Sequence, residues 1–207
     1  MYATQEFGEH ATQDPISGDR VGLVGYHDKG FVRARPAEPY AHWLLERVQD
    51  LPNRLGGSWT NITDGLRQAV SLLQATPRGQ LRRIWLLSDG YANREAHGLP
   101  EVLEIARRHW INVNTIGFGD AFDEATLKNI AAATHNGKFV SVQSLRQLTD
   151  CLIRRDVRQQ VRHRAETTIY AIDLSWSMTD PMDGKQKIEV VVEAMLRLLD
   201  YKQRLFA

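Results

Sequence analysis

The sequence Tyr-Ala-Ile-Asp-Leu-Ser-Trp-Ser-Met, residues 170–178, contains the pattern that decides the fold. An apolar run ends in Asp173, and Ser175 and Ser177 follow at alternate positions. Short apolar runs are typical of buried strands, and ligands bind where such strands end in open α/β sheets. An extended turn would direct one carboxylate and two hydroxyl groups towards a single point. These hard oxygen ligands favour Mg²⁺ or Mn²⁺ over zinc, which prefers nitrogen and sulfur.

Three further segments extend this pattern along the chain. Residues 57–66, Gly-Ser-Trp-Thr-Asn-Ile-Thr-Asp-Gly-Leu, place Thr60 in a loop before a predicted helix. Residues 84–90, Ile-Trp-Leu-Leu-Ser-Asp-Gly, end an apolar strand in Asp89, and residues 113–119, Val-Asn-Thr-Ile-Gly-Phe-Gly, form another strand. Together with the Asp-x-Ser-x-Ser stretch, these segments resemble the von Willebrand factor A (VWA) domain, and the resemblance covers nearly the whole chain.

The resemblance implies an α/β fold. We expect a Rossmann-like, mostly parallel central sheet with one antiparallel edge strand and helices on both faces. The family arrangement would place the Asp173 strand at the centre, flanked by the strands that contain Val21 and Leu86. The alternation of strands and helices along the chain favours the same class of sheet.

The resemblance also implies a metal-ion-dependent adhesion site (MIDAS). Ser175 and Ser177 would bind Mg²⁺ or Mn²⁺ directly, and Thr60 would bind it directly or through water. Asp173 and Asp89 would act mainly through water and through hydrogen bonds to the hydroxyl groups. Two carboxylates held back from the cation leave it under-neutralised, so an Asp or Glu of a protein partner would complete its coordination. Taken singly, each of these residues also fits a helix cap or a turn.

The order of the segments differs from that of the family, in which the Asp-x-Ser-x-Ser strand opens the domain. Here that strand comes last, so we interpret residues 19–207 as one circularly permuted VWA-like domain after an N-terminal arm or loop, residues 1–18. The arginine-rich residues 154–166 would be the joining linker, with an acidic partner or nucleic acid as the alternative interpretation. A natural permutation, an engineered one, and a fragment of a tandem or strand-swapped arrangement all stay open. We expect a monomer and no nucleic-acid partner.

Proline and capping residues set the predicted helix boundaries. We expect a first helix to begin at Pro39 and to turn Trp43 and Leu44 towards the core. Asn61 or Thr63 would cap a second helix. The last helix is predicted to run from Lys185 to Ala207.

Three residues beside the predicted metal loops could contact a partner. Trp176 and Trp59 are bulky where small or polar residues are commoner in the family, so they would either form an apolar rim for the partner or simply pack. His27 follows the Val21 strand and should lie at the same rim, where the plainer alternative is a surface histidine. Asp180 and Asp183, which follow the motif, are expected to be solvated loop carboxylates.

The bulk properties limit the classes of protein that fit. The 207 residues, 43% hydrophobic and 25% charged with a net charge of +1, suit one globular domain and give no general case for nucleic acid or membrane binding. No apolar run approaches the roughly 20 residues that span a bilayer. A single cysteine, Cys151, and the absence of a signal-peptide pattern in the first residues lead us to expect a cytoplasmic protein.

Three functions follow from these patterns. The first is a non-enzymatic module that binds a divalent cation and an acidic residue of a partner, within a larger assembly such as one with an AAA+ ATPase. The second is a metal-dependent phosphoester hydrolase with Asp173 as nucleophile or base, although no general acid or lysine clamp is evident. The third is a metal-free structural or domain-swapping module. The sequence contains no P-loop, nucleophile elbow or His-Glu-x-x-His pattern.

Overall fold

The structure is a computed structural model that describes residues 18–77, 79–90, 96–157 and 165–206. The predicted N-terminal arm therefore lies outside the described residues, except for Gly18. The predicted linker, residues 154–166, is described only at its two ends: a helix runs on to Val157 and a strand begins at Glu166.

Six strands form the central sheet, in the spatial order β2-β1-β6-β3-β4-β5. All neighbouring pairs are parallel except β1 and β2, which are antiparallel and place β2 at one edge. The predicted mostly parallel sheet with one antiparallel edge strand is thus confirmed. The strands are β1 (Arg20–Tyr26), β2 (Gly30–Ala37), β3 (Leu81–Ser88), β4 (Ile111–Phe118), β5 (Phe139–Val142) and β6 (Glu166–Asp173). A separate hairpin pairs β7 (Pro181–Met182) with β8 (Lys185–Gln186).

Helices cover both faces of the sheet, as predicted. One apolar cluster contains residues of α1, α5 and α6, and a second contains residues of α2, α3 and α4. The α-helices in the described residues are α1 (His42–Gln49), α2 (Ile62–Gln74), α3 (Leu99–Arg108), α4 (Glu124–Ala132), α5 (Leu145–Val157) and α6 (Lys187–Phe206). Among the described residues, no helix combines the length and the apolar character that crossing a bilayer requires.

Strand β6 is the centre of the fold. It lies between β1 and β3, and all eight of its residues are buried. Its side chains alternate, so Tyr170 and Ile172 join one apolar cluster while Ile169 and Ala171 join the other. A strand that is buried on both faces has a continuous apolar sequence, so the apolar residues 169–172 predict β6. The predicted central position of the Asp173 strand, beside those of Val21 and Leu86, is confirmed.

Two predicted helix starts are wrong. Helix α1 begins at His42 rather than Pro39, because the amide of Ala41 donates to the carbonyl of Glu38 (3.0 Å) and closes a turn with proline at its second position. Within this helix Leu44 is buried, but Trp43 is 43% exposed and does not join the core as predicted. The last helix begins at Lys187 rather than Lys185, since Lys185 belongs to the β7–β8 hairpin.

Candidate metal centre

The candidate site lies at the carboxyl edge of the parallel strands. Asp173 is the last residue of β6, and Ser88 is the last residue of β3 beside it. Asp89 follows β3, and the loop that contains Ser175 and Ser177 follows β6. Asp89 and Ser177 are 88 residues apart in the sequence. Their side chains meet because β3 and β6 are neighbours in the sheet.

Asp173 lies at the base of the site and is fully buried. One carboxylate oxygen, Oδ1, accepts a hydrogen bond from the amide of Ser175 (2.9 Å), and Oδ2 accepts one from the hydroxyl of Ser88 (3.1 Å). Burial, followed by the nearby negative charge of Asp89, raises the pKa of Asp173 to about 7. Asp173 therefore holds the start of the serine loop while its own charge is poorly solvated.

Ser175, Ser177 and Asp89 form a continuous chain of oxygen atoms. The hydroxyl oxygens of Ser175 and Ser177 are 2.9 Å apart, and the hydroxyl of Ser177 donates to Oδ1 of Asp89 at 2.7 Å. The loop holds this shape because a short 3-10 helix, Trp176–Thr179, begins directly after Ser175, and the amide of Met178 donates to the carbonyl of Ser175. The structure thus places two hydroxyl groups beside one carboxylate.

Thr60 faces this chain from the loop before α2. The loop is fixed where the amide of Asn61 donates to the carbonyl of His27 (2.8 Å), while the Asn61 side chain caps α2 by accepting from the amide of Asp64. A Cβ atom added to Gly90 would lie 3.5 Å from the Thr60 hydroxyl and 3.9 Å from that of Ser177. Both hydroxyl groups therefore border one small space next to Gly90, and the five residues predicted for the metal lie together.

Lys187 adds a positive charge to the site. Its ammonium group is 2.7 Å from Oδ2 of Asp89 and 3.5 Å from a carboxylate oxygen of Asp180. Lys187 is buried and is the first residue of α6. Asp89 thus has Ser177 on one oxygen and Lys187 on the other.

The three residues predicted to contact a partner lie at the rim of the site. Trp176 is 58% exposed and Trp59 is 47% exposed, so neither packs into the core. His27 is partly buried: its Nδ1 accepts from the amide of Asp28 (2.7 Å), and its ring lies against Gly57 in the loop that leads to Thr60. His27 therefore supports that loop, whereas the tryptophans face solvent.

Sequence reasoning missed four residues of the site: Ser88, Gly90, Lys187 and Tyr26. The buried hydroxyl of Tyr26 donates to the carbonyl of Leu87 (2.7 Å), and burial, followed by the charge of Asp173, raises its pKa well above the ordinary value. Lys187 had a detectable signal, since a cation at the amino end of a helix is unfavourable unless acidic groups hold it. The dipeptide Asp183-Gly184 was likewise a sequence signal, because Asp-Gly is typical of two-residue hairpin turns. Both residues have a positive φ in the turn between β7 and β8.

The donor set of the site is rich in hydroxyl groups rather than in carboxylates or imidazoles. Within the described ranges, no group of three or more His, Cys, Asp or Glu side chains is arranged to hold a metal ion. A divalent ion at this edge would therefore depend on Ser175, Ser177 and Thr60, with two carboxylates nearby. Hard oxygen donors of this kind match Mg²⁺ or Mn²⁺ rather than zinc.

Comparisons with known proteins identify the family. Residues 6–153, more than half of the chain, match the von Willebrand factor type A domain; the match includes Thr60 and Asp89 and ends before β6. A search of curated proteins gives no match. A solved structure titled von Willebrand factor type A from Catenulispora acidiphila is similar with a TM-score of 0.52 and 16% sequence identity, over 70% of this chain and 34% of that one.

A second structure, an uncharacterised membrane-spanning protein from Vibrio fischeri, is 25% identical with a TM-score of 0.33, over 69% of this chain and 77% of that one. This chain covers about a third of the Catenulispora protein, so the two share a fold over one part of that longer chain. Members of the family whose profile matches are generally protein-interaction modules. On the match over residues 6–153, the chain belongs to the von Willebrand factor type A domain family.

Proposed function

We propose that this domain binds Mg²⁺ or Mn²⁺ at the carboxyl edge of its sheet and recognises an acidic residue of a protein partner. The observation that carries the proposal is the oxygen chain Ser175–Ser177–Asp89, with Asp173 behind it and Thr60 beside it. The first four residues come from the ends of two neighbouring strands and from the loops that follow them, and Thr60 comes from a separate loop.

The spacing of the oxygens suits an octahedral cation. With bonds of about 2.0–2.1 Å to Mg²⁺, adjacent octahedral ligands lie about 2.9 Å apart. The hydroxyl oxygens of Ser175 and Ser177 have this separation, 2.9 Å. These two residues and Thr60 would hold the ion, with Asp89 accepting from Ser177. The bound ion would supply a positive centre that attracts a carboxylate oxygen of the partner.

The environment of Asp173 favours binding over hydrolysis. A nucleophilic carboxylate must reach its substrate, but Asp173 is fully buried, and both of its oxygens accept hydrogen bonds from within the chain. It can position the serine loop without contacting a ligand. The proposed role of the domain is therefore a non-enzymatic one.

The rim gives the partner an apolar surface next to the cation. Trp176 and Trp59 are large, exposed and adjacent to metal-loop residues, and tryptophan is enriched among the residues that contribute most to protein interfaces. We propose that both contact the partner around its acidic residue. His27 would contribute indirectly, by holding the loop that contains Thr60 and Trp59.

The central position of β6 within one chain supports the proposal that the segments follow a permuted family order. In this proposal β6 is inserted between β1 and β3 of the same monomer. Light scattering of the purified chain tests it, and a stable dimer would favour strand exchange between copies.

Titration with Mg²⁺ and Mn²⁺ tests the proposed site. We expect both ions to raise the melting temperature of the wild-type domain, and Asp173→Ala to abolish this effect while the far-ultraviolet circular dichroism stays unchanged. Asp120→Ala is the matched control, because Asp120 is exposed at the same edge and bonds to Gln143. Metal binding that persists unchanged in Asp173→Ala would exclude this site. Turnover of a generic phosphoester by the wild-type protein would favour the hydrolase instead.

A further inference from the structure

The position of Lys187 is unfavourable unless a carboxylate holds it there. Its side chain is buried, and it occupies the first residue of α6, where the helix dipole repels a cation. Oδ2 of Asp89, at 2.7 Å, supplies the opposite charge. The lysine and Asp89 are therefore a fixed pair, and the pair is part of the candidate metal centre.

The surrounding backbone leaves room for this lysine. Gly119, which follows β4, has a φ of +91°, and a Cβ atom there would lie 3.1 Å from Cε of Lys187. The amide of Lys187 donates to the carbonyl of Asp180 (3.0 Å), which fixes the start of α6. Two independent features of the backbone thus direct the ammonium group to Asp89.

The charges of the site explain what the lysine would do there. The carboxylates of Asp173 and Asp89 and the ammonium group of Lys187 leave the buried groups with one net negative charge when Asp173 is ionised. A divalent ion would then bring these groups to one net positive charge. Without Lys187 the same ion would bring them only to neutrality, and the attraction for an incoming carboxylate would be weaker.

We propose that Lys187 sets the charge of the metal centre, so that the site binds a divalent cation less tightly but remains positive towards an acidic partner. The lysine neutralises Asp89 and repels the metal ion across that carboxylate. This inference rests on the proposed function, because it assigns a residue that tunes the same site. Lys187 acts through Asp89 and is a positioning residue rather than a metal ligand.

The test compares variants of Lys187 in a Mg²⁺ and Mn²⁺ titration followed by calorimetry and by thermal melting. Lys187→Gln keeps a hydrogen-bond donor for Asp89 but removes the charge. We expect it to bind Mg²⁺ at least about tenfold more tightly than the wild type, because a like charge near the ion has been removed. In chelator it should melt at a lower temperature than the wild type, since Asp89 has lost its counter-ion. Lys187→Arg, which keeps the charge, should bind Mg²⁺ within about twofold of the wild type.

A second buried lysine provides the matched control. Lys202 is buried in the same helix, and its ammonium group lies 3.2 Å from Asp19 at the opposite edge of the sheet. Lys202→Gln should also melt at a lower temperature, but its affinity for Mg²⁺ should equal that of the wild type. This comparison separates an effect on the site from a general loss of stability.

The outcomes distinguish the two proposals. Equal or weaker Mg²⁺ binding in a folded Lys187→Gln variant, with a normal response in the wild type, overturns the role of Lys187 alone. No response to either ion in both proteins overturns the metal site and this inference together. If Lys187→Gln is unfolded in chelator, the Mg²⁺ concentration that restores its folded circular dichroism gives the affinity, and failure to recover at any concentration contradicts the inference.

Discussion

The two edges of the sheet bury charged side chains in different ways. At the amino edge, Arg83 and Glu166 form a buried ion pair at 3.1 Å, and Lys202 lies 3.2 Å from Asp19. Each of these carboxylates has a cationic partner. At the carboxyl edge, Asp173 and Asp89 are both buried, and Lys187 pairs with Asp89. No cationic side chain among the described residues forms an ion pair with Asp173, and burial, followed by the nearby charge of Asp89, raises its pKa to about 7.

This difference separates a structural edge from a candidate functional one. The amino edge is balanced within the chain, so its charges connect β1, β3, β6 and α6 without an external ligand. The carboxyl edge has an acid whose charge is compensated only by hydrogen bonds. Buried charges are normally paired or bound to a metal, so a site of this kind is a candidate for binding a cation from solution.

The largest expected effect comes from breaking the amino edge. Arg83→Met would leave Glu166 buried without this cation, and we expect the free energy of unfolding to fall by about 3–5 kcal/mol. Denaturant unfolding measures the loss. As a control, Lys185→Met removes an ion pair to Glu193 that is largely exposed, and it should change stability little. Equal effects of the two substitutions would mean that the buried pair does not stabilise the amino edge.

The next effect concerns the pH dependence of the carboxyl edge. Because the folded state raises the pKa of Asp173 from 3.8 to about 7, the folded protein keeps this proton where the unfolded chain releases it. The resulting stabilisation is complete below about pH 4 and is lost as the pH rises to about 7, by up to about 4 kcal/mol. Unfolding experiments in chelator should show this decline in the wild type. Asp173→Asn, which cannot titrate, should lack that component, and parallel profiles for the two proteins would contradict the raised pKa.

The smallest effect is expected at the rim. Trp176→Ala removes a side chain that is 58% exposed, so the free energy of unfolding should change by no more than about 0.5 kcal/mol. Its affinity for Mg²⁺ should also stay within about twofold of the wild type. Trp85→Ala, which empties a buried position in β3, should cost about 3–5 kcal/mol. A loss of metal affinity in Trp176→Ala would show that this tryptophan orders the serine loop instead of facing a partner.

Much of the fold could be predicted from the sequence because its strands are strongly patterned. The apolar run of β6 is buried on both faces, and the predicted cap Asn61 accepts a hydrogen bond from the amide of Asp64. The start of α1 could not be predicted in the same way. Proline favours both the first turn of a helix and the second position of a β-turn. The hydrogen bond from the amide of Ala41 to the carbonyl of Glu38 shows that Pro39 occupies a β-turn.

The candidate site was predictable in its oxygen donors but not in its charge balance. Asp173, Ser175 and Ser177 stand in one short motif, and the family resemblance added Thr60 and Asp89. Lys187 meets Asp89 across 98 residues, and no local pattern specifies that pairing. The hydrogen bond from Ser88 to Asp173 could not be predicted from a local pattern either, because it depends on β3 and β6 being neighbours in the sheet.

The late position of β6 in the chain has a consequence for synthesis on the ribosome. In the described sheet, β6 joins a two-stranded unit, β1 and β2, to a three-stranded unit, β3 to β5. Both units emerge from the ribosome before the strand that connects them, and the hydrogen bond from the amide of Glu166 to Asp19 spans 147 residues. Until β6 is inserted, β1 and β3 each have an unpaired edge that can pair with another chain. The nascent protein therefore passes through a stage in which its aggregation risk is greatest just before β6 is inserted.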